Sequence, residues 1–195
     1  MRKIFVITIL AMFSSGVMAF DIFALGTSNT NCKGVERSRI FTAYLEEILR
    51  SDGMDVRVIN GGEDGDRPVW MENRLHAGIT EKTRIVIFEP GPNDRNKPTN
   101  VGYSEKILLT LQNLNMPTIY VSDKLIQSVE EGEATARKFG AYYYGDVHMG
   151  IPKDRVHRQF DMGNGGGHMT AEGCQLWAKN MAPLVKRVVG EKHIQ

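Results

Sequence analysis

Apolar residues along the chain alternate between two rhythms. Residues 20–25, 56–60, 84–88, 117–121 and 141–144 are short runs rich in Ile, Val, Phe and Tyr, and they read as five strands. Residues 38–50 instead carry Ile40, Phe41, Tyr44, Leu45, Ile48 and Leu49 at helical spacing, and Asp52-Gly53 stops the pattern. Further helices are expected over residues 69–77, 103–114 and 125–139, with a last one from Thr170 or Ala171 to about residue 189. The run 84–88 is almost continuously apolar, as strands buried on both faces are. Strands alternating with helices predict an α/β fold, a three-layer α/β/α sandwich on a mainly parallel, about five-stranded sheet.

The punctuation between these elements is uneven. Gly26-Thr27-Ser28-Asn29-Thr30 follows the first strand and Pro90-Gly91-Pro92-Asn93-Asp94 follows the third. Both lie at strand carboxyl ends, where open α/β sheets bind ligands. Residues 145–167 show little periodicity and read as a long loop over that same edge, a kind of segment that is often functional. No internal repeat or linker divides the chain.

The N-terminus does not belong to this pattern. Arg2 and Lys3 precede an apolar run over residues 4–13, and Val17-Met18-Ala19 sets small or permissive residues before a cut after Ala19. That order is the one of a secretory signal, so residues 1–19 are expected to be removed and residues 20–195 to form one domain. An uncleaved anchor is the alternative, but the run has about half the ~20 residues a span needs. The protein is therefore expected to be secreted or periplasmic, with no stable membrane span after cleavage. Losing residues 1–19 removes two cations and no acid, which moves the formal charge from +1 to −1. Lys and Arg are scattered among acids, so a nucleic-acid partner is not expected. In an oxidising compartment Cys32 and Cys174 could pair or stay free.

Taken singly, the polar residues at the strand ends have plain readings: Ser28 as a helix cap, Asn93 as a turn residue, His168 as a histidine opening a helix. Their order changes that. Gly26-Thr27-Ser28, Gly65-Asp66, Gly91-Pro92-Asn93-Asp94 and Gly167-His168-Met169-Thr170-Ala171 together resemble the four blocks of the SGNH (GDSL-like) hydrolases. The resemblance covers the chain from Ile22 to the C-terminal helix. It implies an esterase or lipase that cleaves carboxylic esters, of acyl-ester or lysophospholipid type, through an acyl-enzyme. Ser28 would be the nucleophile and His168 the general base. The oxyanion hole would combine the backbone N–H groups of Ser28 and Gly65 with the Asn93 amide. Gly61 and Gly62 compete with Gly65 for that place. The substrate would be a small-molecule or lipid ester, with no metal or organic cofactor. An O-acetyl esterase acting on envelope polysaccharide is one alternative, and a non-catalytic pocket protein is another.

The chain departs from the family pattern twice. Thr27 stands where Asp is usual, and Gly165 stands where the acid that orients the histidine is usual. Asp161 or Asn164 would then reach the ring, or a backbone carbonyl would. Asn164, nearer the usual position, is expected to be the more sensitive of the two. Three further features read as ordinary structure. His148 and His157, with Asp146 and Asp154, match no zinc spacing and read as a solvated loop. Residues 142–144 read as a strand, and Glu89 as a structural or rim residue.

Overall fold

In the computed structural model, five strands form one sheet: β1 (Phe20–Gly26), β2 (Val56–Gly62), β3 (Thr83–Phe88), β4 (Thr118–Ser122) and β5 (Tyr142–Asp146). Their order is β2-β1-β3-β4-β5, and every neighbouring pair is parallel. Residues 19–94, 96–162 and 166–194 are described. The expected signal therefore falls, except for Ala19, outside the described residues, as do Asn164 and Gly165.

The period of two in the strands sorts their side chains into two cores. Phe20, Ile22 and Ala24 of β1 join Ile85 and Ile87 on one face, under Leu45, Leu49, Trp177 and Met181. Those come from α1 (Phe41–Ser51) and α5 (Ala171–Glu191), where Phe41 and Trp177 stack with ring centroids 3.9 Å apart. Phe23, Leu25, Val86 and Phe88 face the other way, onto Met71, Leu75, Ile107, Leu111 and Ala136. These belong to α2 (Pro68–Gly78), α3 (Lys97–Asn113) and α4 (Val129–Lys138). The result is the α/β/α sandwich that the alternation predicts. No helix among the described residues is long and apolar enough to cross a membrane.

Element boundaries differ from the pattern for local reasons. Residues 37–39 form a separate 3-10 turn, so α1 begins at Phe41. Helix α3 starts at Lys97, well ahead of residue 103, because Pro98 suits a first helical turn that needs no N–H from it. Helix α4 starts later than residue 125. Ser128 accepts a hydrogen bond from the Glu131 N–H at 3.2 Å while the Glu131 carboxylate accepts one from the Ser128 N–H at 2.8 Å. This reciprocal cap fixes the helix start more sharply than apolar spacing can. Strand β2 runs on to Gly62, and a Cβ there would lie 2.4 Å from the Asn31 nitrogen.

Chain order reverses across the sheet between β1 and β3, and the crevice at their carboxyl ends is the switch point of this topology. One covalent link crosses beside it. Cys32 and Cys174 form a disulfide with Cα atoms 6.4 Å apart, joining the loop after β1 to the first turn of α5 across 142 residues. A loop of that length implies a stabilisation of roughly 2–5 kcal/mol. The Cys32→Ser, Cys174→Ser double variant should lose that amount in urea titration. The wild-type protein should show no free thiol by non-reducing mass spectrometry, and two free thiols in the folded protein would contradict the link.

Candidate active site

The turn after β1 is built around a buried carboxylate. Glu89, immediately beyond β3, has 0% of its surface exposed. Its Oε2 accepts hydrogen bonds from the Thr27 N–H at 2.9 Å, the Thr27 hydroxyl at 2.8 Å and the Thr30 hydroxyl at 3.0 Å. Its Oε1 accepts from the Asn29 amide at 3.4 Å. Ser28 sits between these anchors, so the backbone on both sides of its hydroxyl is fixed from below. Gly91 gives the approach room: its φ is +63°, and a Cβ there would come within 2.3 Å of Thr27 Cγ2. Burial, opposed by the bonds from Thr27, pushes the Glu89 carboxyl up to about 7.

The imidazole comes from the loop ahead of α5. His168 Nε2 lies 2.8 Å from Ser28 Oγ, and both residues are buried. On the other side of the ring, His168 Nδ1 lies 2.5 Å from Asp161 Oδ2, while Asp161 Oδ1 accepts the His168 backbone N–H at 2.9 Å. Gly167 makes this possible. Its φ is +105°, and a Cβ would lie 2.1 Å from Asp161 Oδ1. Phe160 also takes a positive φ, 57°, in the turn that presents the carboxylate. Partial burial pushes the Asp161 carboxyl up, but the bonds from the His168 ring and backbone outweigh it and leave the carboxyl below its usual range.

Of the two candidate partners of the ring, Asp161 is the one among the described residues. Asp161 makes the contact to the ring, and Asn164 lies outside the described residues. The acid is seven positions before the histidine, where the family resemblance places it three before. Nearness along the chain therefore does not measure nearness to the ring.

Asn93 lines the same cleft as Ser28 and His168, and its amide donates to the Asp66 carbonyl at 2.9 Å. A primary amide carries two N–H donors, and this is the one contact of the Asn93 amide among the described residues, which leaves a donor for the cleft. Gly65 has φ +78° with open space beside its Cα, in the loop that leads to Asp66. Of its competitors, Gly61 packs against the Phe23 ring and Gly62 against the nucleophile turn. The cleft encloses about 220 Å³ and is also lined by Asp123, Lys124, Leu125, Lys153, Arg158 and Met162.

His148 lines it as well, which corrects the solvated-loop reading at that residue: its side chain is packed into the wall. Burial, then the Arg158 guanidinium nearby, push its imidazole down to about 4. His157 instead pairs with Asp154 at 2.8 Å. Of the two readings of Glu89, structural or rim, the structure bears out the structural one: it is fully buried beneath the turn of Ser28.

A three-layer sandwich with this strand order, and with these residues at its switch point, is the fold of the SGNH hydrolases. Its structural neighbours include a protein described as an SGNH-hydrolase family esterase. The crystal structure of TesA matches 86% of this chain and 99% of its own, with a TM-score of 0.72 and 20% identity. AlinE4, an SGNH-hydrolase family esterase, matches 88% of this chain and 97% of its own, with a TM-score of 0.60 and 23% identity. In sequence, esterase TesA of Pseudomonas aeruginosa is 30% identical over 86 residues, 44% of this chain and 43% of that protein. That match spans less than half the length of the relative. No protein-family model matches the chain.

The raised carboxyl of Glu89 sets a sign for stability. The folded protein holds this proton more tightly than the unfolded chain, so the contribution is complete below the unfolded carboxylate pKa and is lost as pH rises through about 7. Glu89→Gln cannot ionise. Relative to wild type, its unfolding free energy should rise by up to about 3 kcal/mol between roughly pH 4 and pH 8. Urea titrations of both proteins across that range measure the difference. A difference independent of pH would show that Glu89 titrates normally.

Proposed function

We propose that the protein is an exported serine hydrolase that cleaves carboxylic esters through an acyl-enzyme on Ser28. One observation carries this: the unbroken series Ser28 Oγ, His168 imidazole and Asp161 carboxylate, at 2.8 and 2.5 Å, opening onto a cleft at the sheet's switch point. A serine hydroxyl becomes nucleophilic when a neighbouring base takes its proton.

Ser28 Oγ attacks the ester carbonyl carbon and its proton passes to His168 Nε2. Asp161, hydrogen-bonded to Nδ1, holds the tautomer and stabilises the imidazolium. Negative charge builds on the carbonyl oxygen and meets the Ser28 and Gly65 N–H groups and the free N–H of Asn93. As the tetrahedral intermediate collapses, the C–O bond to the alcohol breaks and the alcohol leaves with the proton from His168. Water then attacks the acyl carbon and gives its proton to His168. The acid is released as Ser28 recovers a proton from the imidazolium. Neither step calls for a metal or an organic cofactor.

The cleft volume of about 220 Å³ lies below the ~300–1,000 Å³ usual for drug-sized ligands. Within the acyl-ester and lysophospholipid range, this favours short acyl groups inside the cleft. The same volume supports a second reading, an O-acetyl esterase acting on envelope polysaccharide. A non-catalytic role drew its force from the glycine at 165, and Asp161 on the ring removes that ground. Export rests on the signal pattern of residues 1–19, and a disulfide between Cys32 and Cys174 suits an oxidising compartment.

A fluorophosphonate probe should label the wild-type protein and should not label Ser28→Ala; labelling that survives the substitution would sink the assignment. Asp161→Ala should lower kcat by up to ~10⁴-fold with labelling still measurable. Asn93→Ala should lower kcat by about 10²-fold or more with little change in KM. An effect of Asn93→Ala confined to KM would make it a substrate contact instead.

A further inference from the structure

The cleft beside Ser28 carries a charge pattern that the hydrolytic steps do not use. Its lining includes three cationic side chains, Lys124, Lys153 and Arg158, against one carboxylate, Asp123. Arg158 is the unusual one. It is 6% exposed, yet no carboxylate among the described residues lies within ion-pairing distance of it. Its guanidinium donates from Nη1 to the Gly167 carbonyl at 3.1 Å, and its buried Nε has no hydrogen-bond partner among the described residues.

The two acids whose charges reach Arg158 are engaged elsewhere. Asp146 accepts the Lys124 and His148 backbone N–H groups at 2.7 and 2.9 Å, and Asp123 accepts the Leu125 N–H at 2.8 Å. Next to Arg158 in the same wall, His148 Nε2 is buried and also lacks a partner among the described residues. Leaving a charged group buried without a counter-charge costs several kcal/mol. A fold that keeps such a group at the wall of a reaction cleft has a use for it. A guanidinium presents a planar fork of donors suited to carboxylate, phosphate or sulfate.

We infer that the substrate is an ester carrying an anionic group a few bonds from the scissile carbonyl, held by Arg158 with Lys124 and Lys153 around it. The inference rests on the hydrolase reading and narrows it. Neutral His148 supplies a ring nitrogen to the same group without opposing its charge. Arg158 bonds the carbonyl of Gly167, the residue before the base, so the anion binds close to the imidazole. Leu125 and Met162, 72% and 70% exposed, leave the outer rim apolar and fit the uncharged remainder of the substrate.

The experiment compares matched neutral and anionic esters with the whole protein. p-Nitrophenyl butyrate against p-nitrophenyl hemisuccinate places the charge on the acyl side. Acetates of a neutral and of a phosphate-bearing alcohol place it on the leaving side. In one series the anionic ester should be preferred roughly tenfold or more in kcat/KM, through KM, and less so at high salt. Arg158→Gln should bring that ratio towards one, and Arg158→Lys should keep part of it. The ratio is internal to each protein, so a general loss of activity does not obscure it. If Arg158→Gln does not fold, Lys124→Gln with Lys153→Gln should lower the ratio by a smaller factor.

Equal kcat/KM for neutral and anionic esters in both series would overturn the inference and leave the hydrolase intact. If no ester at all is turned over, the hydrolase reading fails. The inference is then read from binding: monoethyl succinate held about tenfold tighter than diethyl succinate supports it, and equal Kd values overturn it.

Discussion

Ser28, the proposed nucleophile, is where it is because a carboxylate lies beneath its turn. Glu89 enters from β3, the strand beside β1, and takes hydrogen bonds from the residues on either side of Ser28. A carboxylate is an acceptor with about four lone-pair sites, and here the donors converge from one turn. This gives the departure at Thr27 a physical meaning. Its hydroxyl donates to Glu89, whereas an aspartate at 27 would set a second carboxylate against the first in a fully buried pocket. Donor at 27 and acceptor at 89 belong together, and the close approach needs glycine at 26 and 91, where a Cβ would fall within 2.9 Å of Glu89 oxygens.

The proposed base arrives from 140 residues away, and two separate ties hold its loop to the turn of Ser28. The disulfide joins Cys32 to Cys174. Gln159 donates from Nε2 to the Lys33 carbonyl at 2.6 Å and to the Met169 carbonyl at 2.7 Å, so one side chain links both segments. A backbone bridge between Arg158 and Met169 stiffens the histidine loop itself. Positive φ at Phe160 costs on the order of 1 kcal/mol or more. It is maintained where Asp161 bonds both the ring and the backbone of His168. Such redundancy keeps the Ser28–His168 distance short before any substrate binds.

What was legible in the sequence follows from how local each cause is. Nearly continuous apolar runs in β1 and β3 declared the sheet because both faces of those strands are buried. The ends of α3 and α4 were misplaced because Pro98 and the Ser128–Glu131 cap set them, and apolar spacing does not register either. Ser28, Asn93 and His168 could be singled out because they fall at strand ends in a recognisable order. The choice between Asp161 and Asn164 could not be made that way, since it depends on positive φ at Phe160 and Gly167. Arg158 was invisible, and Glu89 could be narrowed only to structural or rim, for a related reason: an acid after a strand and a base in a loop can look solvated until the third dimension buries them.

The division of labour between strand ends and long loop then explains how one scaffold separates chemistry from selection. Ser28, Glu89 and Asn93 stand on short connections at the end of rigid strands, where displacement by even an ångström would cost rate. Leu125, His148, Lys153, Arg158 and Met162 sit on the loops after β4 and β5, which can change sequence without disturbing the sheet. His168 belongs to both: its ring is the base of the proposed reaction, and the carbonyl before it anchors Arg158. That shared segment couples the geometry of the base to the charge of the cleft. A bound anion pulling on Arg158 would act on the same turn that Asp161 steadies, so recognition and proton transfer meet at Gly167.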